Sequence, residues 1–360
     1  MESEEWRVKS GEWRVKSGVF CCRDFRNAQN NSTLRFQHFT LNERCVYCMS
    51  FVINGKELPP IAIGTWAWGS GTNGSKMVFG SKSNPEALKE SFDIAFKSGF
   101  TLFDTAAVYG MGNAEKLLAE FTNGKDFIFS DKYTPMKRFS PELLDKMYSE
   151  SVEKFNGRIP DIYWLHQPKY IEDTLPYFCQ MQKEGKIGSI GVSNFNFEQL
   201  QTANDIVKEN GCTIAGVQNH FSLLHRDSDK NGVLEWCKNN NAVFFAYMVL
   251  EQGALTGKFN SKKKMPFFSR RGFAYNKHLK KLEPLFKELE EIGKKHGLTV
   301  SQTATAYAIS KGTLPIVGIT KPYQAKELAK TASQTLSKGE ILQLETTADE
   351  IGIKVKAGWE

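Results

Sequence analysis

A helix, a turn and a strand are predicted to meet at Gly99-Phe-Thr-Leu-Phe-Asp-Thr-Ala-Ala-Val-Tyr-Gly110. Residues 85–97 just before it have the apolar spacing of an amphipathic helix, and residues 101–103 are β-branched or apolar. The pattern predicts a helix, a tight turn at Gly99 and a buried strand that ends at Asp104. In parallel α/β proteins, ligands bind at the carboxyl ends of the strands. Asp104 is therefore a candidate site residue.

The same alternation of helices and strands continues along the chain. Predicted strands fall at 61–64, 102–104, 127–132, 162–166, 187–192, 215–219, 242–247 and 314–319. Predicted helices fall at 85–97, 113–121, after Ser140-Pro-Glu142, and at 172–183, 197–210, 232–239, 279–295 and 300–311, followed by a last pair. Eight strands that alternate with helices predict an α/β (β/α)8 barrel, or TIM barrel, with C-terminal helices; a doubly wound sheet is the alternative.

Two patterns precede the predicted barrel. Phe51-Val-Ile-Asn-Gly-Lys-Glu-Leu58 carries an Asn-Gly pair between two short runs, which predicts an N-terminal β-hairpin. The sequence EWRVKSG occurs at 5–11 and again at 12–18, but two copies are too few for a repeat fold. We expect residues 1–48, called the leader, to be disordered and 49–360 to form one barrel. The alternative is a docking tail that uses Trp6 and Trp13.

Composition and charge exclude several classes of protein. The 360 residues carry a net charge of +7, spread along the chain apart from the short run Lys262-Lys-Lys264. Basic residues interleaved with aromatics are not found there, so nucleic-acid binding is not expected. No apolar stretch reaches the roughly 18 to 20 residues of a membrane span, so membrane insertion is not expected either. The first residues do not resemble a signal peptide.

The seven cysteines fit a reduced compartment, and we expect a cytoplasmic protein. Cys45 and Cys48 have the spacing of zinc ligands, but Cys21 and Cys22 are adjacent, which suits a tetrahedral site poorly. No metal site is therefore expected.

The glycines from Gly69 to Gly74 spell G-x-G-x-x-G. A dinucleotide fingerprint must lead directly into a helix, whereas residues 75–84 intervene here. We expect this segment to be a flexible loop over the pocket mouth, which weakens the doubly wound alternative.

Four residues at or after the predicted strand ends suggest chemistry: Asp104, Tyr109, Lys132 and His166. A lysine buried at a barrel mouth needs a carboxylate partner, and Asp104 on the neighbouring strand can provide it. A phenol has a pKa near 10, so a nearby cation would ease release of its proton. A histidine can donate a hydrogen bond to a carbonyl oxygen. The set predicts carbonyl reduction by a hydride from a bound cofactor.

In these contexts the four residues resemble the catalytic tetrad of the aldo-keto reductase family, over about residues 49–336. The resemblance implies a (β/α)8 barrel that uses NADPH/NADP+ to reduce a small-molecule carbonyl substrate. We expect a monomer or a weak homo-oligomer. The aromatic content of the loops predicts an apolar pocket, with Trp66, Trp68 and Trp164 as its walls.

The resemblance assigns cofactor contacts to three segments. Ser193, Asn194 and Gln218 match the residues that hold the nicotinamide amide, and Phe221 falls at the stacking aromatic. The loop that wraps the pyrophosphate is matched by Met248, Leu250, Gln252, Gly253, Leu255, Gly257 and Lys258. The adenosine-phosphate segment is matched by Gly318, Thr320, Lys321, Gln324 and Glu327. A hydroxyl and a cation at Thr320 and Lys321 suit a 2′-phosphate, which favours NADPH over NADH.

Two other functions stay open at this point. Some barrels of this family are potassium-channel β-subunits, which bind the cofactor and act mainly through a partner. A Schiff-base aldolase on the same barrel would use Lys132 as its nucleophile, but the cofactor motifs would then have no purpose.

Overall fold

The computed structural model describes residues 51–70, 74–80 and 84–355. These belong to the unit Met49–Glu360. The predictions for the leader, including its repeat and its cysteines, lie outside the described residues. So does the middle of the glycine-rich loop, residues 71–73.

The first two strands form the predicted hairpin. Strands β1 (Phe51–Ile53) and β2 (Lys56–Leu58) pair antiparallel, and Ile53 faces Lys56 in the register. Asn54 and Gly55 connect them with φ of 50° and 70°, the left-handed backbone that an Asn-Gly turn supplies.

Eight further strands close into a parallel barrel in the order β10-β3-β4-β5-β6-β7-β8-β9. Their bounds are β3 Ala62–Gly64, β4 Leu102–Asp104, β5 Ile128–Tyr133, β6 Ile162–Leu165, β7 Ile190–Ser193, β8 Ile214–His220, β9 Val243–Tyr247 and β10 Leu314–Gly318. The predicted (β/α)8 barrel is confirmed. The doubly wound sheet is excluded because the first and last barrel strands pair with each other.

Helices surround the barrel. Their bounds are α1 Ser75–Phe79, α2 Pro85–Lys97, α3 Asn113–Thr122, α4 Pro141–Lys154, α5 Ile171–Lys183, α6 Phe197–Glu209, α7 Asp227–Lys230, α8 Val233–Asn239, α9 Arg270–Tyr275, α10 Glu283–His296, α11 Val300–Ser310, α12 Pro322–Thr331 and α13 Lys338–Ile351. The side chain of Ser140 caps α4 by accepting the Leu143 N–H at 3.2 Å, as predicted. Within the described ranges, no helix is long and apolar enough to cross a membrane.

The barrel interior is a separate apolar core. This core contains Ile53 and Leu58 of the hairpin together with Trp164 and Phe245 of the barrel strands. The hairpin therefore covers the end of the barrel opposite the carboxyl ends of the strands. A Cβ atom at Gly191 would lie 2.2 Å from the Trp164 ring. Glycine is therefore required there for the tryptophan to fill the interior.

The register of the strands sets which side chains meet at the carboxyl end. Asp104 on β4 is level with Ser130 on β5, and Lys132 is level with Trp164 on β6. Side chains alternate along a strand, so Ser130 and Lys132 point into the barrel while Asp131 points to the helices.

Candidate active site

The centre of the site is an ion pair between β5 and β4. The Nζ atom of Lys132 lies 2.5 Å from Oδ2 of Asp104 and donates a second hydrogen bond to the Thr105 carbonyl at 2.7 Å. The two side chains are 0% and 5% exposed. Burial lowers the pKa of Lys132, and the charge and hydrogen bond of Asp104 oppose that shift. The pairing predicted from the sequence is present.

Two further donors hold the other oxygen of the carboxylate. Oδ1 of Asp104 accepts a hydrogen bond from the Ser130 hydroxyl at 2.8 Å and one from Nε2 of Gln218 at 3.0 Å. Ser130 in turn accepts from the indole N–H of Trp164 at 2.7 Å. Sequence reasoning missed Ser130, although its position two residues before Lys132 places both on the inward face of β5.

Tyr109 lies in the loop after β4 and faces the ion pair. The Lys132 Nζ atom is 5.2 Å from the centre of its ring, and its ring meets that of His166 edge to face at 6.0 Å. Burial and then the charge of Asp104 raise the pKa of Tyr109 well above 10. The phenol therefore keeps its proton and can act as a donor. That the Lys132 ammonium favours the ionised form of this phenol stays a prediction.

His166 follows β6 and is a neutral imidazole. Its Nδ1 atom and the Thr134 hydroxyl share a hydrogen bond of 2.7 Å. Burial and the nearby charge of Lys132 lower the pKa of His166 to about 3. Thr134 was not predicted from the sequence, because it lies one residue beyond the end of β5.

The next strands place the predicted amide-binding residues beside His166. The Asn194 side chain donates to the His166 carbonyl at 2.8 Å, and its Oδ1 accepts from the Tyr247 hydroxyl at 2.5 Å. The Ser193 hydroxyl donates to the Gln218 carbonyl at 2.8 Å. Ser193, Asn194, Gln218 and the tetrad are thus one connected group.

The structure corrects the prediction for Phe221. This ring has no exposed surface and lies in the layer between strands and helices, 6.2 Å from Tyr307 and 5.9 Å from Phe244. The residue follows β8 but points outward from the barrel. The aromatic ring next to the predicted amide-binding residues is instead Tyr247, half-buried at the end of β9 and hydrogen-bonded to Asn194. Tyr247 stands at the end of a predicted strand, and this position is the sequence feature that could have identified it.

Of the three predicted pocket tryptophans, only Trp66 lies at the site. Its ring is 6.3 Å from that of Tyr109 and 5.6 Å from that of Phe79. The Trp68 ring is enclosed and its N–H donates to the Ile319 carbonyl at 2.7 Å. Trp164 fills the barrel interior and is also fully buried. The predictions for Trp68 and Trp164 are corrected for the same reason, since both large rings fill the core and do not line a pocket.

The loop after β9 has an unusual backbone. Met248, Glu251, Gln252 and Gly253 all have positive φ, between 47° and 99°. Glu251 is fully buried in the 3₁₀ helix Glu251–Thr256 and anchors this loop. Sequence reasoning missed Glu251, since a buried acid in a loop cannot be told from an exposed one.

Three donors surround the Glu251 carboxylate. They are His220 at 2.7 Å, the Tyr275 hydroxyl at 2.5 Å and the Ser222 hydroxyl. Burial alone would raise the pKa of Glu251, but His220 and the hydrogen bonds lower it. The carboxylate therefore stays charged and keeps the loop in its left-handed conformation. The Leu255 side chain, which the resemblance placed at the pyrophosphate, is instead enclosed in the core.

Positive charge is concentrated next to this loop. Burial lowers the pKa of Lys258, and Lys321, Arg271 and Lys263 lower it further by repulsion. In the described part of the chain, Nε of Arg271 and Oε1 of Gln252 are buried and lack hydrogen-bond partners. A cluster of cations that includes a guanidinium with a free Nε donor suits a phosphate group. Arg271 was not predicted, because it lies outside the matched segments.

The predicted adenosine-phosphate segment lies at the start of α12. Oε1 of Gln324 accepts the backbone N–H groups of Thr320 at 2.8 Å and Lys321 at 3.0 Å, so this side chain shapes the turn. Gly318 ends β10 and is exposed. Glu327 is partly buried, and burial raises its pKa. Direct contact of these residues with a cofactor stays a prediction.

Comparison with known proteins points to one family. Residues 60–349 match the model of the Aldo/keto reductase family. The chain is 30% identical over 314 residues to a chloroplastic pyridoxal reductase of Arabidopsis thaliana, covering 81% of this chain and 83% of that protein. It is 26% identical to the aldo-keto reductase YhdN of Bacillus subtilis, with 80% and 89% covered. Because a relative is chloroplastic, the cytoplasmic location stays a prediction.

Solved structures have the same fold. A glycerol dehydrogenase from Gluconobacter oxydans superposes with a TM-score of 0.72 at 22% identity, covering 86% of this chain and 98% of that one. An aldo-keto reductase from Klebsiella pneumoniae in complex with NADP and acetate superposes with a TM-score of 0.65 at 20% identity, covering 82% and 94%.

Proposed function

The chain belongs to the aldo/keto reductase family, and we propose that it reduces aldehydes and ketones to alcohols with NADPH. One observation carries the proposal. A protonated phenol, a neutral imidazole and a buried Lys–Asp pair converge at the carboxyl end of the barrel. These are the groups that a carbonyl oxygen needs when its carbon accepts a hydride.

Tyr109 acts as the general acid in this proposal. Its proton passes to the carbonyl oxygen as negative charge develops there, and the Lys132 ammonium 5.2 Å from its ring stabilises the phenolate that remains. Asp104 holds Lys132 in place through the 2.5 Å ion pair. His166 orients the carbonyl: with Thr134 donating to Nδ1, the proton lies on Nε2 and can be donated to the substrate.

Residues at the strand ends fit the nicotinamide cofactor, which supplies the hydride when bound. Ser193, Asn194 and Gln218 would hold its amide, and Tyr247 would pack against its ring. Lys258, Arg271 and Lys321 would hold its phosphates, since their charges lie close together. Support for NADPH comes from the structures of Klebsiella pneumoniae aldo-keto reductases with NADP and with NADPH.

The first experiment is a turnover assay of Tyr109→Phe. Wild type is mixed with NADPH and a panel of aryl, alkyl and dicarbonyl substrates, and loss of the reduced-nicotinamide absorbance is followed. Pyridoxal belongs in the panel because the Arabidopsis relative is a pyridoxal reductase. We expect Tyr109→Phe to lower kcat by about 10²- to 10⁴-fold, the usual contribution of a general acid. Its affinity for NADPH, measured by fluorescence quenching, should be unchanged.

Tyr170→Phe is the matched control, because this tyrosine is exposed at the start of α5. It should have wild-type kcat. Equal kcat in wild type and Tyr109→Phe would contradict the mechanism. Tight NADPH binding without turnover on any substrate would favour instead a regulatory subunit like the potassium-channel β-subunits.

A further inference from the structure

Three phenylalanine rings form an exposed apolar cluster at the start of α9. Phe267, Phe268 and Phe273 are 69%, 88% and 66% exposed. Their rings touch one another, with centroid distances of 5.3 Å for Phe267–Phe268 and 5.8 Å for Phe267–Phe273. We call these three residues the Phe cluster. A cluster of adjacent exposed aromatics differs from the single exposed apolar residues common on soluble proteins, and it indicates an interaction surface.

The backbone under the Phe cluster is held in place. Met265 and Tyr275, on either side of it, are 2% and 1% exposed. The Asn276 side chain accepts the Met265 N–H at 2.9 Å and donates to the Met265 carbonyl at 3.1 Å. The Ser269 hydroxyl caps α9 by accepting the Gly272 N–H at 3.1 Å. The rings are therefore displayed by a fixed loop, which keeps the entropy cost of binding low.

Along the chain, the charges on either side of the Phe cluster have one sign. Residues 252–282 contain nine Lys or Arg and no Asp or Glu. Lys262, Lys264, Arg270 and Lys277 are exposed next to the Phe cluster along the chain. The Lys264 ammonium donates to the Asn276 carbonyl at 3.3 Å, so the basic run lies against the base of α9. We call the exposed cations Lys262, Lys264, Arg270 and Lys277 the basic rim. The Phe cluster and this basic rim are complementary to a surface whose outer layer is anionic and whose inner layer is apolar.

We propose that the Phe cluster and its basic rim bind the surface of an anionic lipid bilayer, with the three rings inserted between the head groups. Two other occupants fit less well. A second copy of this chain would bring like charges together. Successive stacked bases need ring faces that lie roughly parallel, whereas Phe267 and Phe268 meet edge to face at 87° and offer no such platform. Because the loop follows β9, the bilayer would lie at the end of the barrel that carries the candidate active site.

The test measures co-sedimentation of the full chain with vesicles. One set is phosphatidylcholine alone, and the other contains phosphatidylserine in addition. We expect binding to the anionic vesicles only, with weaker binding as salt is raised. The variant Phe268→Ser/Phe273→Ser should bind about tenfold more weakly, from the apolar area lost. Lys262→Glu/Arg270→Glu should also bind about tenfold more weakly, since each cation near the membrane contributes.

Leu342→Ser is the matched control, since Leu342 is 65% exposed on α13, away from the loop in the sequence. It should bind like wild type, and all variants should have wild-type melting temperatures. Equal binding by wild type and the Phe268→Ser/Phe273→Ser variant would overturn the proposal, as would equal binding to both vesicle sets. Binding of a single-stranded oligonucleotide or self-association that these variants abolish, without vesicle binding, would overturn it too.

Discussion

At the scale of single residues, the strongest constraint is the buried charge of Lys132. Its ammonium is fully enclosed and contacts one carboxylate oxygen and one carbonyl. Removing one member of a buried ion pair leaves the other uncompensated, and this usually costs more than the pair contributes. The site residues thus make large and unequal contributions to stability as well as to chemistry.

Lys132→Met should lower the free energy of unfolding by about 3 to 5 kcal/mol, because Asp104 keeps its charge without a cation. Urea unfolding followed by circular dichroism measures this. Asp104→Asn and the double variant complete a double-mutant cycle. The double variant should lose less stability than the sum of the losses in the two single variants. Strictly additive losses would show that the ion pair does not couple these side chains.

Tyr247 offers a second test at this scale. Tyr247→Ala should raise the Kd for NADPH about tenfold, through loss of the ring face. Tyr247→Phe should raise it only about threefold, because it loses just the hydrogen bond to Asn194. Fluorescence titration measures both.

Phe221→Leu separates the two candidate aromatic rings, since Phe221 is enclosed away from the site. It should leave this Kd unchanged and lower stability by about 1 kcal/mol. The reverse pattern, a weakened Kd in Phe221→Leu alone, would restore the original assignment of the stacking ring.

At the scale of elements, strand β5 separates two buried polar groups by alternation. Lys132 faces the site, while Asp131 faces α3 and α4. Near Asp131 on the helix side, the Glu115 carboxylate accepts the Ser151 hydroxyl at 2.5 Å and the Lys154 ammonium at 2.8 Å. Burial and then repulsion from Glu115 raise the pKa of Asp131 to about 8. Among the described residues, Oδ1 of Asp131 has no hydrogen-bond partner.

This raised pKa predicts a pH dependence of stability. Between about pH 4, the unfolded pKa, and about pH 8, the folded state binds a proton that the unfolded state releases. The free energy of unfolding therefore falls as pH rises, by at most about 1.4 kcal/mol per pH unit from this group. Asp131→Asn should reduce that slope between pH 5 and 8, measured by urea unfolding at several pH values.

Asp126→Asn is the control, because the Asp126 side chain is fully exposed, and its slope should match wild type. If Asp131→Asn kept the wild-type slope, Asp131 would be ionised throughout this range.

Elements with a clear period could be predicted from the sequence, and short ones could not. Helix α2 begins at Pro85 and ends at Lys97 as predicted, since Asn84 caps it and its apolar residues repeat at helical spacing. Helices α1, α7 and α9 have four to six residues, too few to show a period. The direction of the Trp164 side chain could not be predicted either. Trp164 lies inside the barrel because Gly191 on the neighbouring strand leaves room for its ring, and the pairing of these two residues is known only from the strand register.

At the scale of the whole molecule, barrel closure makes contacts that spacing cannot predict. Gln218 on β8 donates to Asp104 on β4, 114 residues earlier in the chain. That Asp104, Lys132 and His166 lie close together was predictable, because they stand at or just after the ends of the neighbouring strands β4, β5 and β6. Gln218 reaches Asp104 from across the barrel, so only the closed structure brings the two together.

The positions of the strands that close the barrel also predict whether the leader is needed for folding. The hairpin covers one end of the barrel, and the ring of strands closes between β3 and β10, both after residue 49. The described elements that build the site all follow residue 49 in the chain. A chain that begins at Met49 should fold with a melting temperature within about 2 °C of the full chain, a difference of about 1 kcal/mol for a chain of this size, and keep its kcat for carbonyl reduction. Differential scanning calorimetry and the NADPH assay measure the two. A large loss of either would contradict the expectation that the leader is dispensable.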